Sequence, residues 1–568
     1  MYIRGDLVVT DNDFWAELAS KQSQINYHDV RENFQWNLPE FYNIGVDISD
    51  RHAVDRTRLA LIYDREDGHH EKWTYYEISQ ESNRLANVFL NMHISQRDRI
   101  AIFLSQSPQL PIAHIAAYKI GAIAVPLFTL FGSDALAYRI NDSGARVLIT
   151  DSSNLYNVMG IINKLSSLEH IIITDFENVS PQDITSIIHS WRDLVSNCST
   201  SFAPVATTPD DPAIIIYTSG TTGQAKGALH GHRVLLGHLP GVAVPHDLAP
   251  QEGDLFWTPA DWAWIGGLFD VLFPAMHWGL PILAHRMSKF NPEKAFDLME
   301  KWKVRNVFLP PTSLKMMRRI KDPQNHWDLN LRSIASGGEP LGEETLRWAT
   351  ESFGIHINEF YGQTECNVVI GNGSSLYPVQ PNSMGRALPG HEVGIIDEEG
   401  NLKNVGEPGE IAVKAPDPVM FITYWNKPEA TSNKYIGNWL KTGDMGYVDE
   451  NGYFYFIGRS DDIINSSGYR IGPAEVEEVL VQHPAILMAA VVGSPDPLRG
   501  EIVKAFIKLR NEQDASNELI AEIQSWVKER LAAYEYPREV EFVDQFPQTL
   551  SGKIMRGVLR QQEYERKK

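Results

Sequence analysis

The stretch AIIIYTSGTTGQAKG, residues 213–227, decides how this chain is read. Its first five residues are apolar and mostly β-branched or aromatic, the composition of a strand covered on both faces. They run without a break into Thr218, Ser219, Gly220, Thr221, Thr222, Gly223, Gln224, Ala225, Lys226 and Gly227. Glycines at the end of a strand let backbone N–H groups close around a phosphate, the hydroxyls add donors, and Lys226 adds a positive charge. Such a loop suits a triphosphate. It is not a Walker A loop, which needs Gly-Lys followed by Ser or Thr, whereas Lys226 stands between Ala225 and Gly227. A flexible connector is the bland alternative, disfavoured because linkers seldom sit hard against a buried strand and end in a lone lysine.

Outward from this stretch, short apolar runs alternate with helix-like segments. Residues 99–104 (RIAIFL), 145–150 (ARVLIT) and 170–174 (HIIIT) read as further buried strands, while 75–93, 133–143 and 292–302 carry helical spacing. Parallel strands with crossover helices follow. After about residue 380 the texture changes to Gly- and Pro-punctuated strands at 392–396, 409–413 and 452–457, and from Asp461 to helices at 475–483 and 518–532 with strands at 489–492 and 503–509. The expected fold class is α/β. A large N-terminal domain, 1–458, holds α/β subdomains plus a β-rich subdomain at about 380–458, and a small α+β C-terminal domain fills 459–568.

At ~150 residues per domain, the 568 residues amount to three or four structural units. Lys and Arg number 51 against 72 Asp and Glu, a net charge of −21, which argues against a broad grip on nucleic acid or anionic lipid. Any polyanion must sit in a local positive pocket. With 43% hydrophobic and 22% charged residues the chain is neither collagen-like nor wholly disordered. Two cysteines, Cys198 and Cys366, cannot make a disulfide framework or a cysteine-based zinc site, and suit a reducing compartment. The opening MYIRGDLVVTDNDFW lacks the apolar core of a signal peptide, and residues 110–128 are too short and too broken by His114, Lys119, Gly121 and Pro126 to span a bilayer. A cytoplasmic protein with no integral membrane segment is expected; oligomeric state is not legible, and a homodimer is allowed.

Three more constellations carry chemistry. Residues 359–365, Glu359-Phe360-Tyr361-Gly362-Gln363-Thr364-Glu365, combine a ring that can stack on a purine, a hydroxyl for a phosphate and a carboxylate for Mg²⁺. Alone, this segment would serve equally well as packing. Thr442-Gly443-Asp444 precedes Gly458-Arg459-Ser460-Asp461-Asp462 and then Gly468-Tyr469-Arg470, an acid and a base able to bond ribose hydroxyls. Ser551-Gly552-Lys553-Ile554-Met555-Arg556 sets a lysine on a glycine turn near the C-terminus. The pair His230 and His232 has no second ligand cluster and reads as packing or pocket lining; Cys366 reads as a packing residue. GxSxG, CxxC and GxGxxG do not occur, which removes motif support for hydrolase, thiol-redox and dinucleotide readings.

Taken in this order, TSGTTGQAKG, YGQTE, TGD with GRSDD, and SGKIMR resemble the AMP-forming acyl-CoA synthetases of the adenylate-forming superfamily, in their short- to medium-chain branch. The resemblance covers nearly the whole chain, including Tyr42-Asn43-Ile44 and Asp50-Arg51-His52. It implies that a carboxylate attacks the α-phosphate of Mg-ATP to give an acyl-adenylate and pyrophosphate, and that coenzyme A then displaces AMP. It implies that Thr218, Ser219, Gly220, Thr221, Thr222, Gly223 and Lys226 cradle the departing phosphates, with Thr364 at the α-phosphate and Glu365 on Mg²⁺. Tyr361 would stack on adenine with Gly338, Glu339 and Pro340 on the other side, flanked by Gly362 and Gln363. Glu359 would accept from the adenine amino group, Asp444 and Arg459 would hold the ribose, and Arg470 would contact phosphate.

Lys553 is then the catalytic lysine, and the resemblance supplies a mobile C-terminal domain pivoting at Asp461, with Gly468 and Tyr469 beside coenzyme A. Trp262, Trp264, Gly266, Gly267, Val368 and Val369 lie in segments that could line an acyl pocket. Acetate-activating relatives carry a tryptophan where this chain has Gly362, so room for a medium-chain acid is expected there. ATP and coenzyme A are the co-substrates and Mg²⁺ the cofactor. The alternatives are an adenylation enzyme loading an aryl or amino acid onto a carrier-protein thiol, and a non-catalytic nucleotide-binding regulator, which would be expected to lack Lys553 or Glu365.

Overall fold

The computed structural model describes residues 12–20, 26–218, 225–287, 289–459, 462–466, 469–497, 499–511, 515–531, 535–548 and 553–567. Among these the chain forms two compact units, one drawn from 12–218, 225–392 and 415–433, the other from 393–414 and 434–567.

The first unit holds two sheets. In one, the strands run Thr423–Tyr424, Lys226–Gly231, Pro212–Thr218, Ile123–Pro126, Arg99–Phe103, Val147–Thr150, His170–Ile173 and Ile188–Ser190. All pairings are parallel from Pro212–Thr218 onward, and the first two are antiparallel. The apolar run at 213–217 is the buried middle of its strand, as an Ile-rich segment covered on both faces must be. The second sheet runs Ser383–Ala387, Asn367–Gly371, Ile357–Gln363, Ser333–Gly337, Asn306–Phe308, Phe256–Trp257, Ile282–Ala284, Leu59–Asp64 and His70–Thr74. Its central strands, Asn306–Phe308, Ser333–Gly337 and Ile357–Gln363, are parallel.

Helices cover these sheets. Tyr75–Asn91 begins on a capping box in which Thr74 Oγ1 accepts from Glu77 N and Thr74 N donates to Glu77 Oε2 at 2.8 Å. The apolar segment after residue 108 is a core helix, Gln109–Lys119, buried on every face. Lys119 ends it without exposure because its Nζ donates to Asp50 Oδ1 at 2.7 Å, Asn83 Oδ1 at 2.8 Å and Ser82 Oγ at 3.0 Å. No helix among the described residues is long and apolar enough to cross a membrane.

In the second unit, Val393–Ile396, Gly409–Lys414, Trp439–Val448 and Phe454–Arg459 form successive antiparallel pairs. A further sheet of Tyr469–Ile471, Ile464–Ser466, Gly500–Leu509 and Ile486–Asp496 packs with helices Pro473–Val481 and Asn517–Arg530 around Ile471, Val476, Leu480, Val503, Ile523 and Val527.

Candidate active site

The antiparallel pair of Pro212–Thr218 and Lys226–Gly231 ends, on the side of residues 219–224, with Thr218 in register with Lys226, and Thr218 Oγ1 donates to Lys226 O at 3.4 Å. Ser219, Gly220, Thr221, Thr222 and Gly223 lie outside the described residues. Beside the hairpin, Thr423–Tyr424 adds an edge strand, and this brings the Tyr424 ring to 5.2 Å from Lys226 Nζ.

From the second sheet the hairpin of Ile357–Gln363 and Asn367–Gly371 carries Glu359, Tyr361, Gly362, Gln363 and, in its turn, Thr364 and Glu365. The turn is strapped to residues 419–424. Phe421 N donates to Glu365 O at 2.9 Å, Asn367 Nδ2 donates to Val419 O at 3.0 Å, and the Tyr424 hydroxyl donates to Glu365 Oε1. Glu365 Oε2 has no hydrogen-bond partner among the described residues, although the side chain is nearly buried. A carboxylate with one oxygen fixed and the other open is the donor a hard, hydrated cation shared with phosphate oxygens takes. The residues therefore fit Mg²⁺. Tyr424 has no motif to mark it: it sits in the apolar run FITYW and is found only by its contacts.

Gly338, Glu339 and Pro340 follow the strand Ser333–Gly337. Gly338 has φ +92°, and nothing lies within 4 Å of where its Cβ would be, so the loop is open on that side. Thr312 Oγ1 donates to Glu339 Oε2 at 3.4 Å. The neighbouring strand ends are aromatic, with Phe308 stacked on Phe360 at 5.5 Å between centroids.

The acyl-pocket candidates have different surroundings. Trp264 packs on Phe128 and Phe131 at 5.3 and 6.0 Å, in the core of the first sheet. Trp262 and Val369 are fully buried. Gly267 is a steric requirement, since a Cβ there would lie 2.3 Å from Asp261 O. Gly266 faces Phe308, and Val368 lies against Gly241.

Gly362 sits where two backbones meet. A Cβ at 362 would lie 1.8 Å from Asn367 O and 2.8 Å from Val368 Cα, because the bulge between Tyr361 and Gly362 presses the two hairpin strands together. This glycine serves a close backbone approach.

His232 is packing: its Nδ1 accepts from Ile44 N at 3.2 Å, which fixes the segment Tyr42-Asn43-Ile44. His230 is fully buried near the Thr364 backbone, and burial lowers its pKa to about 3, so it is neutral. Cys198 and Cys366 are not joined in a disulfide, and no group of three or more His, Cys, Asp or Glu able to hold a metal occurs among the described residues.

Within the second unit, Asp444 and Arg459 face each other across adjacent strands, Arg459 Nη1 lying 3.1 Å from Asp444 Oδ1. Thr442 Oγ1 accepts from Asp444 N at 3.1 Å and donates to Ile411 O at 2.6 Å, which holds the acid in place. Asp461 and Gly468 lie outside the described residues, and Tyr469 and Arg470 are described as backbone only, on the strand Tyr469–Ile471. Lys553 is exposed. Next to it Gln548 bridges Ile554, and the following helix is pinned by Arg556 Nε donating to Glu477 Oε1 at 2.7 Å.

Comparison with known proteins fits this geometry. The AMP-binding enzyme family matches residues 49–425, and the AMP-binding enzyme C-terminal domain matches 475–553. Acetyl-coenzyme A synthetase of Bacillus subtilis (strain 168) is 36% identical over 568 residues, covering 94% of each chain. The mitochondrial acyl-coenzyme A synthetase ACSM4 of Mus musculus is 34% identical, over 98% of this chain and 96% of its own. A crystal structure of an anthranilate CoA ligase in complex with anthranoyl-AMP superposes with a TM-score of 0.84 at 29% identity, over 93% of this chain and 99% of that one. Agreement over nearly the full length, from the phosphate-loop hairpin to the lysine turn, means that the chain belongs to the AMP-binding enzyme family, as an ATP-dependent acyl-CoA synthetase that works through an acyl-adenylate.

Proposed function

We propose that this enzyme joins a medium-chain carboxylic acid, of about four to ten carbons, to coenzyme A. The observation that carries the reading is the convergence of Lys226 and Glu365 on Tyr424, which gathers a cation and a half-open carboxylate at the end of a glycine-rich hairpin. Lys226 and the hairpin neutralise the departing pyrophosphate. Thr364 meets the α-phosphate, Tyr361 lies on adenine against Gly338, Glu339 and Pro340, Glu359 takes the amino group, and Asp444 with Arg459 takes the ribose. Glu365 holds Mg²⁺, which supplies charge neutralisation along the phosphates when bound. No general base is required for adenylation, because a carboxylic acid is already ionised at neutral pH.

Lys553 carries its charge to the attacking oxygen and the α-phosphate, where it stabilises the transition state more than the ground state. Its removal from the site before thiol entry calls for a mobile domain, residues 459–568 turning at Asp461, with Gly468 and Tyr469 beside coenzyme A and Arg470 at a phosphate. For the acid, support comes from the apolar surface at Gly266, where the Phe308 ring, itself stacked on Phe360, lies close against the backbone. Each methylene buried on such a surface contributes about 0.8 kcal/mol. The test is pyrophosphate release from Mg-ATP across acetate to dodecanoate, with benzoate and isobutyrate, each with and without coenzyme A. A maximum between C4 and C10 that turns over only with coenzyme A is expected; a maximum at acetate refutes the chain length, and adenylation without coenzyme A turnover points to a carrier-protein thiol.

Tyr424→Phe keeps the ring beside Lys226 and removes the hydroxyl that fixes Glu365. One hydrogen bond to a carboxylate is worth ~1.5–3 kcal/mol, so the KM for Mg-ATP is expected to rise about tenfold or more. The KM for the acid stays within about twofold, because the carboxylate is fixed on the phosphate side. Steady-state kinetics with each substrate varied in turn checks the split.

A further inference from the structure

Beside Gly266 and Phe308, the last residue of the parallel strand Asn306–Phe308, lies a buried pair that the mechanism does not use. His238, on the fully buried helix Val234–Ala243, donates from Nε2 to Asp270 Oδ1 at 2.6 Å. Asp270 is 5% exposed and His238 is sealed. The second carboxylate oxygen, Oδ2, has no hydrogen-bond partner among the described residues, and it lies 3.3 Å from where a Cβ at Gly266 would be. His238 Nδ1 has no partner either. One helical turn on from His238, Gly241 packs against Val368. The pair thus touches Gly266 and lies one helical turn from the contact of Gly241 with Val368, outside the carboxyl end of a parallel strand, where ligands bind in open α/β sheets.

A buried carboxylate with a single hydrogen bond is incompletely satisfied. Burial pushes its pKa up, and the His238 bond opposes this. A purely apolar tail beside Oδ2 would leave that oxygen dry and unpaired, whereas an O–H or N–H would satisfy it. A second carboxylate would be repelled.

We propose that Asp270, oriented by His238, is a specificity-determining residue for the acid, and that the preferred substrate carries a hydrogen-bond donor, a hydroxyl or an amine, along its chain. This rests on the acyl-CoA synthetase reading above and refines its substrate.

The test uses the full-length enzyme with Mg-ATP and coenzyme A, comparing hexanoate with its 3-, 4-, 5- and 6-hydroxy derivatives, 6-aminohexanoate and adipate by kcat/KM from pyrophosphate release. Sites that hydrogen-bond a substrate group discriminate strongly against analogues lacking it, so at least one donor-bearing acid is expected to exceed hexanoate by about tenfold or more, and adipate to fall below it. Asp270→Leu abolishes the preference. Asp270→Asn, isosteric and still an acceptor, keeps the preference for a hydroxyl and loses any for an amine, and melting curves with and without ATP separate a misfolded variant from a reprogrammed one. Hexanoate ahead of every donor-bearing acid in the unmodified enzyme overturns the inference while leaving the acyl-CoA synthetase reading in place; so do unchanged ratios in folded Asp270→Leu. No pyrophosphate release with any acid overturns both.

Discussion

Lys553→Ala is expected to slow acyl-adenylate formation by about 10²–10³-fold, the loss seen when one preorganised donor to a developing oxyanion is removed. The lysine is exposed within its unit, and its neighbourhood is held by the Gln548–Ile554 bridge and the Arg556–Glu477 pair, so truncation leaves the fold intact. The loss is selective. Thioester formation from a supplied acyl-adenylate requires no cation at the α-phosphate carboxylate junction during attack, and is expected to change by less than about fivefold. Acid-dependent exchange of labelled pyrophosphate into ATP reads the first half, and acyl-CoA appearance from the adenylate reads the second. An equal loss in both halves would remove Lys553 from its proposed role.

Gly362→Ala is expected to be the more drastic change. The added carbon would lie 1.8 Å from a backbone oxygen of the facing strand, with no flexible side chain to give way. The hairpin must part, at a cost at or above the upper end of the usual overpacking range, about 3 kcal/mol or more. The turn bearing Thr364 and Glu365 moves with it. Activity should therefore fall for acetate and octanoate alike, with a lowered melting temperature. A folded variant that merely shifts its preference toward short acids would show that residue 362 borders the acyl chain after all.

The buried strands at 99–104, 145–150, 170–174 and 213–217 were legible because a strand covered on both faces must be continuously apolar, and the structure places each to within two residues. The family was legible in the 218–227 and 359–365 segments because glycines, hydroxyls and charges together have few structural uses. The backbone approach at Gly362 was illegible for the converse reason: a glycine in a sequence does not say whether its missing side chain makes space or admits another backbone. Tyr424 and the pair His238 and Asp270 were illegible because contacts spanning 59 and 32 residues leave no local pattern. Trp264 belonged to another core than Gly266, two positions away, since helical entry after residue 264 turns successive residues to different sides.

The edge strand Thr423–Tyr424 also bears on synthesis. The strand Lys226–Gly231 pairs with Pro212–Thr218 on one side and with Thr423–Tyr424 on the other. On the ribosome its second side stays unpaired until that short segment emerges, and at about 5–20 residues per second the wait is about ten to forty seconds. Throughout that interval the nascent chain presents an open strand beside a glycine-rich loop, a template for pairing with other chains. The same segment that fixes Glu365 closes this edge, so the fixing of that carboxylate and the end of the aggregation-exposed phase are one event in the life of the chain.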